Sequence, residues 1–112
     1  MATVSNLYID QGSDFKVVVT LTNQTGTPLN LENFVVKSQF RKSYQSSQAV
    51  TFNVEILEPF TNGKVRLSLP ADTSSGILAG RYLYDIEVVN LLGEKRRVLE
   101  GLVILTPEIT RI

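Results

Sequence analysis

From Gly80 to Val88 the chain reads Gly-Arg-Tyr-Leu-Tyr-Asp-Ile-Glu-Val. Tyr82, Tyr84, Ile86 and Val88 recur at every second position, and Arg81, Asp85 and Glu87 stand between them. Successive side chains of a strand point to opposite faces, so this spacing predicts a half-buried β-strand that a glycine break admits and a tyrosine begins. It does not fit a helix, whose apolar stripe follows a period of about 3.6 residues.

The same alternation recurs along the sequence. Val4 to Ile9 forms a short first segment, stopped by Asp10-Gln11-Gly12-Ser13-Asp14, whose residue types favour a tight turn. Phe15 to Thr22 sets Phe15, Val17, Val19 and Leu21 on one face, and its hairpin partner is expected beyond the break at 23–28. In Phe34 to Lys42 the inward set is Phe34, Val36 and Phe40, with Ser38 as its one polar member. After the polar loop 43–48, Val50, Phe52, Val54 and Ile56 alternate cleanly. They are expected to pair as a hairpin with Val65, Leu67 and Leu69 across a turn holding Pro59, Asn62 and Gly63.

Residues 70–80 make the longest connection, predicted to cross between two sheets, with Asp72 or Thr73 capping a single helical turn. A reversal at Leu91-Leu92-Gly93-Glu94 then leads into the last strand, Lys95 to Leu105. About seven strands, spaced roughly 8 to 12 residues apart with turn signals between them, predict an all-β fold, an immunoglobulin-like antiparallel β-sandwich. The expected organisation is one domain over residues 1–106 and an extended tail over 107–112.

Composition narrows the function. At 112 residues the chain suits one domain with a core large enough to need no staples. Eleven basic and eleven acidic residues cancel, so no long-range field draws it to a phosphate backbone or an anionic bilayer. Nucleic-acid and membrane partners are therefore not expected. Without cysteine or histidine there is neither thiolate chemistry nor a conventional zinc site, and no histidine to activate a serine. The start shows no export signal, and nowhere do eighteen apolar residues run together.

Candidate chemical sites are few. Asp85 and Glu87 share the outward face of one strand, where solvated charge is the ordinary reading, and no acid, base and nucleophile constellation accompanies them. Asp10-x-Gly12-x-Asp14 resembles the opening of a calcium loop but lacks its remaining ligands, so a self-stabilised turn is expected. No catalytic residue, metal or cofactor is assigned. Lys95-Arg96-Arg97 reads as a solvated strand start. Tyr8, Tyr44 and Phe60 could stack on sugar rings, and Tyr8 and Tyr44 are the candidates carried forward.

Apolar residues in unusual places carry more information. In the last strand one register buries Leu99, Gly101, Val103 and Leu105 and leaves Val98, Leu102 and Ile104 outward, as an interface row. A bulge at Gly101 that switches faces is the alternative. Leu91 and Leu92 stand at a hairpin tip, where they either fold back over the sandwich or insert into a neighbour. The tail Pro107 to Ile112 is either a frayed end or a strand offered to an adjacent subunit, with Ile109 and Ile112 as its contacts.

Three segments carry a resemblance: Leu7 to Phe15, Gly80 to Ile86, and Glu100 to Glu108. In their order they resemble small β-sandwich virion proteins of tailed bacteriophages, above all the immunoglobulin-like N-terminal domain of phage baseplate upper proteins. The resemblance implies a non-enzymatic baseplate, tail or fibre adaptor that is made in the host cytoplasm and located in the virion. Its implied partners are other virion proteins, in a homo-oligomer or multicopy assembly. Leu91, Leu92, Leu102, Ile104, Ile109 and Ile112 are the contacts expected to serve that role. Baseplate upper proteins carry further domains after the sandwich, whereas this sequence stops at Ile112, which leaves capsid decoration open; a carbohydrate-binding surface module is the reading from another class.

Overall fold

The computed structural model describes residues 3–23, 25–43 and 45–109. Its strands, in chain order, are β1 (Thr3–Val4), β2 (Leu7–Asp10), β3 (Phe15–Thr20), β4 (Val35–Arg41), β5 (Val50–Thr51), β6 (Asn53–Ile56), β7 (Lys64–Leu69), β8 (Gly80–Val89) and β9 (Lys95–Thr106). A short α-helix, α1 (Ala71–Ser75), joins β7 to β8, and a 3-10 turn at Phe60–Asn62 precedes β7. The first sheet runs β1-β9-β8-β4-β5, with β2 also on β9, and the second runs β3-β7-β6. These are the two layers of an immunoglobulin-like β-sandwich.

The alternation read from sequence sets which side chains meet between the layers. Val36, Ser38 and Phe40 of β4 and Tyr84, Ile86 and Val88 of β8 are buried on one side, facing Val65, Leu67 and Leu69 of β7. Phe40 and Phe52 lie 5.1 Å apart, with Tyr82 edge-on to Phe40 at 5.3 Å and Phe15 at 6.0 Å from Phe52. Such tilted and edge-on pairs fit the quadrupole preference of aromatic rings. Ser38, the polar member of the inward row, donates its hydroxyl to the Asp85 carbonyl at 2.7 Å, which offsets the cost of burying it.

Several expectations are corrected. The sandwich is not wholly antiparallel, because β1 and β2 run parallel to β9 in one continuous register, Thr3 opposite Leu99 and Leu7 opposite Val103. The segment Phe15 to Thr22 turns back as a hairpin only at its end, where Thr22 bridges Pro28 and Leu29 donates its N–H to Leu21; Phe15–Thr20 pairs with β7 instead, and the chain then crosses to the first sheet. The segment 50–56 is not one strand. Val50 and Thr51 pair with β4, Phe52 donates its N–H to the Ser38 carbonyl, and Asn53–Ile56 then pairs with β7 as expected. Inward-pointing residues look the same in either layer, so alternation cannot reveal such a change of sheet.

The 70–80 connection does cross between sheets, but neither Asp72 nor Thr73 caps its helix. Pro70 occupies the N-cap, and the Ala71 N–H is taken instead by the distant Asp14 carboxylate at 2.7 Å. In the last strand the bulge falls at Val98, not Gly101. Leu99 faces Ile86 and Arg97 faces Glu87, which leaves Val98 as the extra residue. Val98 and Leu99 are consequently both buried, contrary to an outward Val98.

Candidate interaction surface

Gly101 lies on β9 beside the break between β1 and β2. A Cβ on Gly101 would run into the backbone carbonyl of Ser5, so only glycine lets the two strands approach there. The Ser5 carbonyl accepts the buried Tyr84 hydroxyl at 2.5 Å, and the Asn6 carboxamide oxygen accepts the Leu102 N–H at 3.0 Å. The Asn6 side chain thus takes the Leu102 N–H in the break between β1 and β2. Burial pushes the Tyr84 hydroxyl pKa up to about 12.

This arrangement builds the outer face of the first sheet. Tyr8 lies opposite Ile104, Ile104 opposite Arg81, and Leu102 opposite Leu83, which in turn lies opposite Arg41. Tyr8 is 65% exposed, while Leu83, Leu102 and Ile104 are half-buried. One step along the strands the face turns polar. The bulge at Val98 restores Arg97 to the outer face, where its guanidinium donates to Asp85 at 3.1 Å and to Glu100 at 3.3 Å. The basic run was read from sequence as solvated charge, so this pairing was missed; it depends on the bulge, which the sequence does not announce. Around these groups lies an open trough of about 600 Å³, with Gln39, Arg41 and Glu87 also in its lining.

Leu91 and Leu92 project from the β8–β9 tip at the far end of the sheet. Asn90 organises this turn. Its side-chain oxygen accepts the N–H groups of Leu92 and Glu94, its amide donates to the Glu94 carboxylate, and its carbonyl accepts the Gly93 N–H. Gly93 takes a φ of 83°, which favours glycine. The leucines do not fold back: Leu91 is 79% and Leu92 84% exposed. Val35, itself exposed, lies opposite Val89 at the same end. Two further loops gather at this end of the sandwich, 21–34 and 57–63, joined where Leu31 donates its N–H to Phe60 and Leu21 donates to Gly63. Phe60 is exposed there.

The candidate contacts therefore fall in three places. Tyr8, Leu102 and Ile104 come together on the outer face. Leu91 and Leu92 stand roughly 30 Å away, judged from the rise of about 3.3 Å per residue along β9. Ile109, 94% exposed, lies just beyond the opposite end of β9. Tyr44 and Ile112 lie outside the described residues. The calcium-like turn serves structure: Asp10 accepts from the Thr106 hydroxyl, Asp14 accepts from Ala71, and the Gly12 N–H donates to the buried Ser74 hydroxyl.

No protein-family model and no curated protein matches the sequence. Among solved structures, an internalin-like protein of Listeria monocytogenes is similar at 11% identity and a TM-score of 0.46, over 96% of this chain and 28% of that one. The N-terminal four immunoglobulin domains of Dscam1 are similar at 16% identity and a TM-score of 0.42, over 97% and 27%. A family 123 glycoside hydrolase from Clostridium perfringens gives 12% identity and a TM-score of 0.43, over 96% and 23%. The chain spans about a quarter of the length of each of these structures.

Proposed function

We propose that this protein is a non-enzymatic structural module that docks on other proteins of a larger assembly, in several copies, through the β8–β9 tip. The observation that carries the reading is the pair Leu91 and Leu92, held out to solvent on a turn that Asn90 fixes with both its side chain and its backbone. Exposed leucines on a preorganised turn lose little conformational freedom when a partner covers them, so their burial is retained as binding energy. Val35 and Phe60 enlarge the apolar surface at that end. In the trough, Asp85 and Glu100 are tied to Arg97, a pairing that suits a structural face better than acid–base work.

The resemblance to tailed-phage sandwiches makes a virion the assembly of choice, with baseplate, tail or fibre adaptor as the role and capsid decoration as the alternative within that class. Changing Leu91 and Leu92 together to Ser tests the docking role. The expected result is a folded domain that no longer enters particles or binds its partner; undiminished incorporation would refute it.

The polar trough favours a second reading, a site for a sugar, since planar groups such as those of Gln39, Arg41 and Arg97 suit hydroxyl-rich ligands. Tyr8 lies outside that trough. Binding on a glycan array that is lost in Gln39→Ala would support this reading, and silence across the array would remove it.

A further inference from the structure

The exposed edge of the second sheet has the makings of a contact between copies. Strand β3 pairs with β7 on one side only. Leu21 donates to Gly63 across that pairing, so by the alternation of an antiparallel ladder Phe15, Val17 and Val19 turn their N–H and C=O groups toward β7. Those of Lys16, Val18 and Thr20 point the other way and meet no partner among the described residues. Native edges are usually blunted by proline, a bulge, an inward charge or short length. β3 has six residues in regular register, three consecutive valines and no proline, and Lys16 is its one charge.

We propose that two copies of this chain pair antiparallel through β3, with the two-fold axis at Val18, and join their second sheets into one. The register follows from which groups are free. Val18 meets Val18 of the second copy, and Lys16 meets the second copy's Thr20, so every unpaired N–H and C=O of the three residues finds a partner. No like charges lie opposite one another, and the valine pair on the axis is 49% exposed in the single chain, leaving area to bury.

The other edges lack this self-complementarity. In β6 Leu57 donates to Lys64, so Val54 and Ile56 carry the free groups, and the matching self-pairing would set Glu55 against Glu55. β5 has two residues, and β2 has four and ends on Asp10. This contact supplies the link between copies that the proposed assembly needs, and it lies apart from the β8–β9 tip.

The test uses the cysteine-free sequence. In a Val18→Cys variant, residues facing across an antiparallel axis stand about 5.5 Å apart at Cα, within disulfide range. Mild oxidation should cross-link it about tenfold faster than a Lys64→Cys variant, also exposed, which the register keeps from its counterpart. Sedimentation equilibrium should show a dimer weakened about tenfold or more by Val18→Pro and by Val18→Lys, which sets two ammonium groups on the axis. Val18→Pro keeps the fold, because the lost N–H faces away from β7. Equal cross-linking of the two cysteine variants, a monomer at every concentration, or dimers unaffected by both substitutions would overturn the proposal. Leu91→Ser with Leu92→Ser should leave this dimer intact, which separates its failure from failure of the docking role.

Discussion

Gly101 and Tyr84 bind the first strand to the last. Because a methyl group at position 101 meets main chain rather than a flexible side-chain end, Gly101→Ala must displace Ser5. A loss of about 2 kcal/mol, within the range for overpacking a close contact, is expected by urea denaturation. Tyr84→Phe removes only the hydroxyl bond to Ser5, at a cost of about 1 kcal/mol. The tyrosine also gives a pH dependence. Its folded pKa is raised above the ordinary value of 10.0 to about 12, so the unfolded chain releases this proton first as pH rises. The stability tied to the protonated hydroxyl is full below pH 10 and is lost between pH 10 and 12. Thermal melts over that window should fall more steeply for the native protein than for Tyr84→Phe.

Among the elements, the segment around Phe52 bears the most weight for the least sequence signal. Its ring contacts those of Phe15 and Phe40, while its N–H bonds one sheet just before the chain joins the other. Phe52→Ala should cost about 3–5 kcal/mol, with the pairing of both β5 and β6 loosened in hydrogen exchange. Phe52→Leu should recover part of that loss. The inward row from Val50 to Ile56 was legible from alternation, as was the inward Ser38 of β4. Which sheet each half joins was not, because pairing is decided by backbone groups that all residues share. The Val98 bulge escaped for the same reason: two adjacent apolar residues fit either a face switch or an outward row, and the register of β9 on β8, which sets Leu99 opposite Ile86 and Arg97 opposite Glu87, distinguishes them. The exposed tip was legible, since leucines in a turn contradict the usual polar chemistry of such places.

Across the whole molecule, the two ends of the sandwich are built differently. One is stitched by polar side chains: Gln11 donates to Ile77 and accepts from Glu108, and Ser74 ties the 10–14 turn to α1. The other carries the 21–34, 57–63 and 90–94 loops and offers Val35, Phe60, Leu91 and Leu92 to solvent. A partner that binds chiefly by apolar burial should choose the second end, since the first would have to give up internal hydrogen bonds to be remodelled. Hydrogen exchange on the isolated protein and on its assembled form should therefore show new protection at 21–34, 57–63 and 90–94, with 10–14 and 71–77 unchanged. Asn90→Ala offers an internal control. It frees the leucines from their fixed turn without removing apolar surface, so affinity should drop several-fold through lost preorganisation, while the melting temperature moves by only a few degrees. Protection confined to the 10–14 end would place the partner on the wrong side of the molecule for this account, and an Asn90→Ala variant binding at full strength would show that the order of the tip contributes nothing.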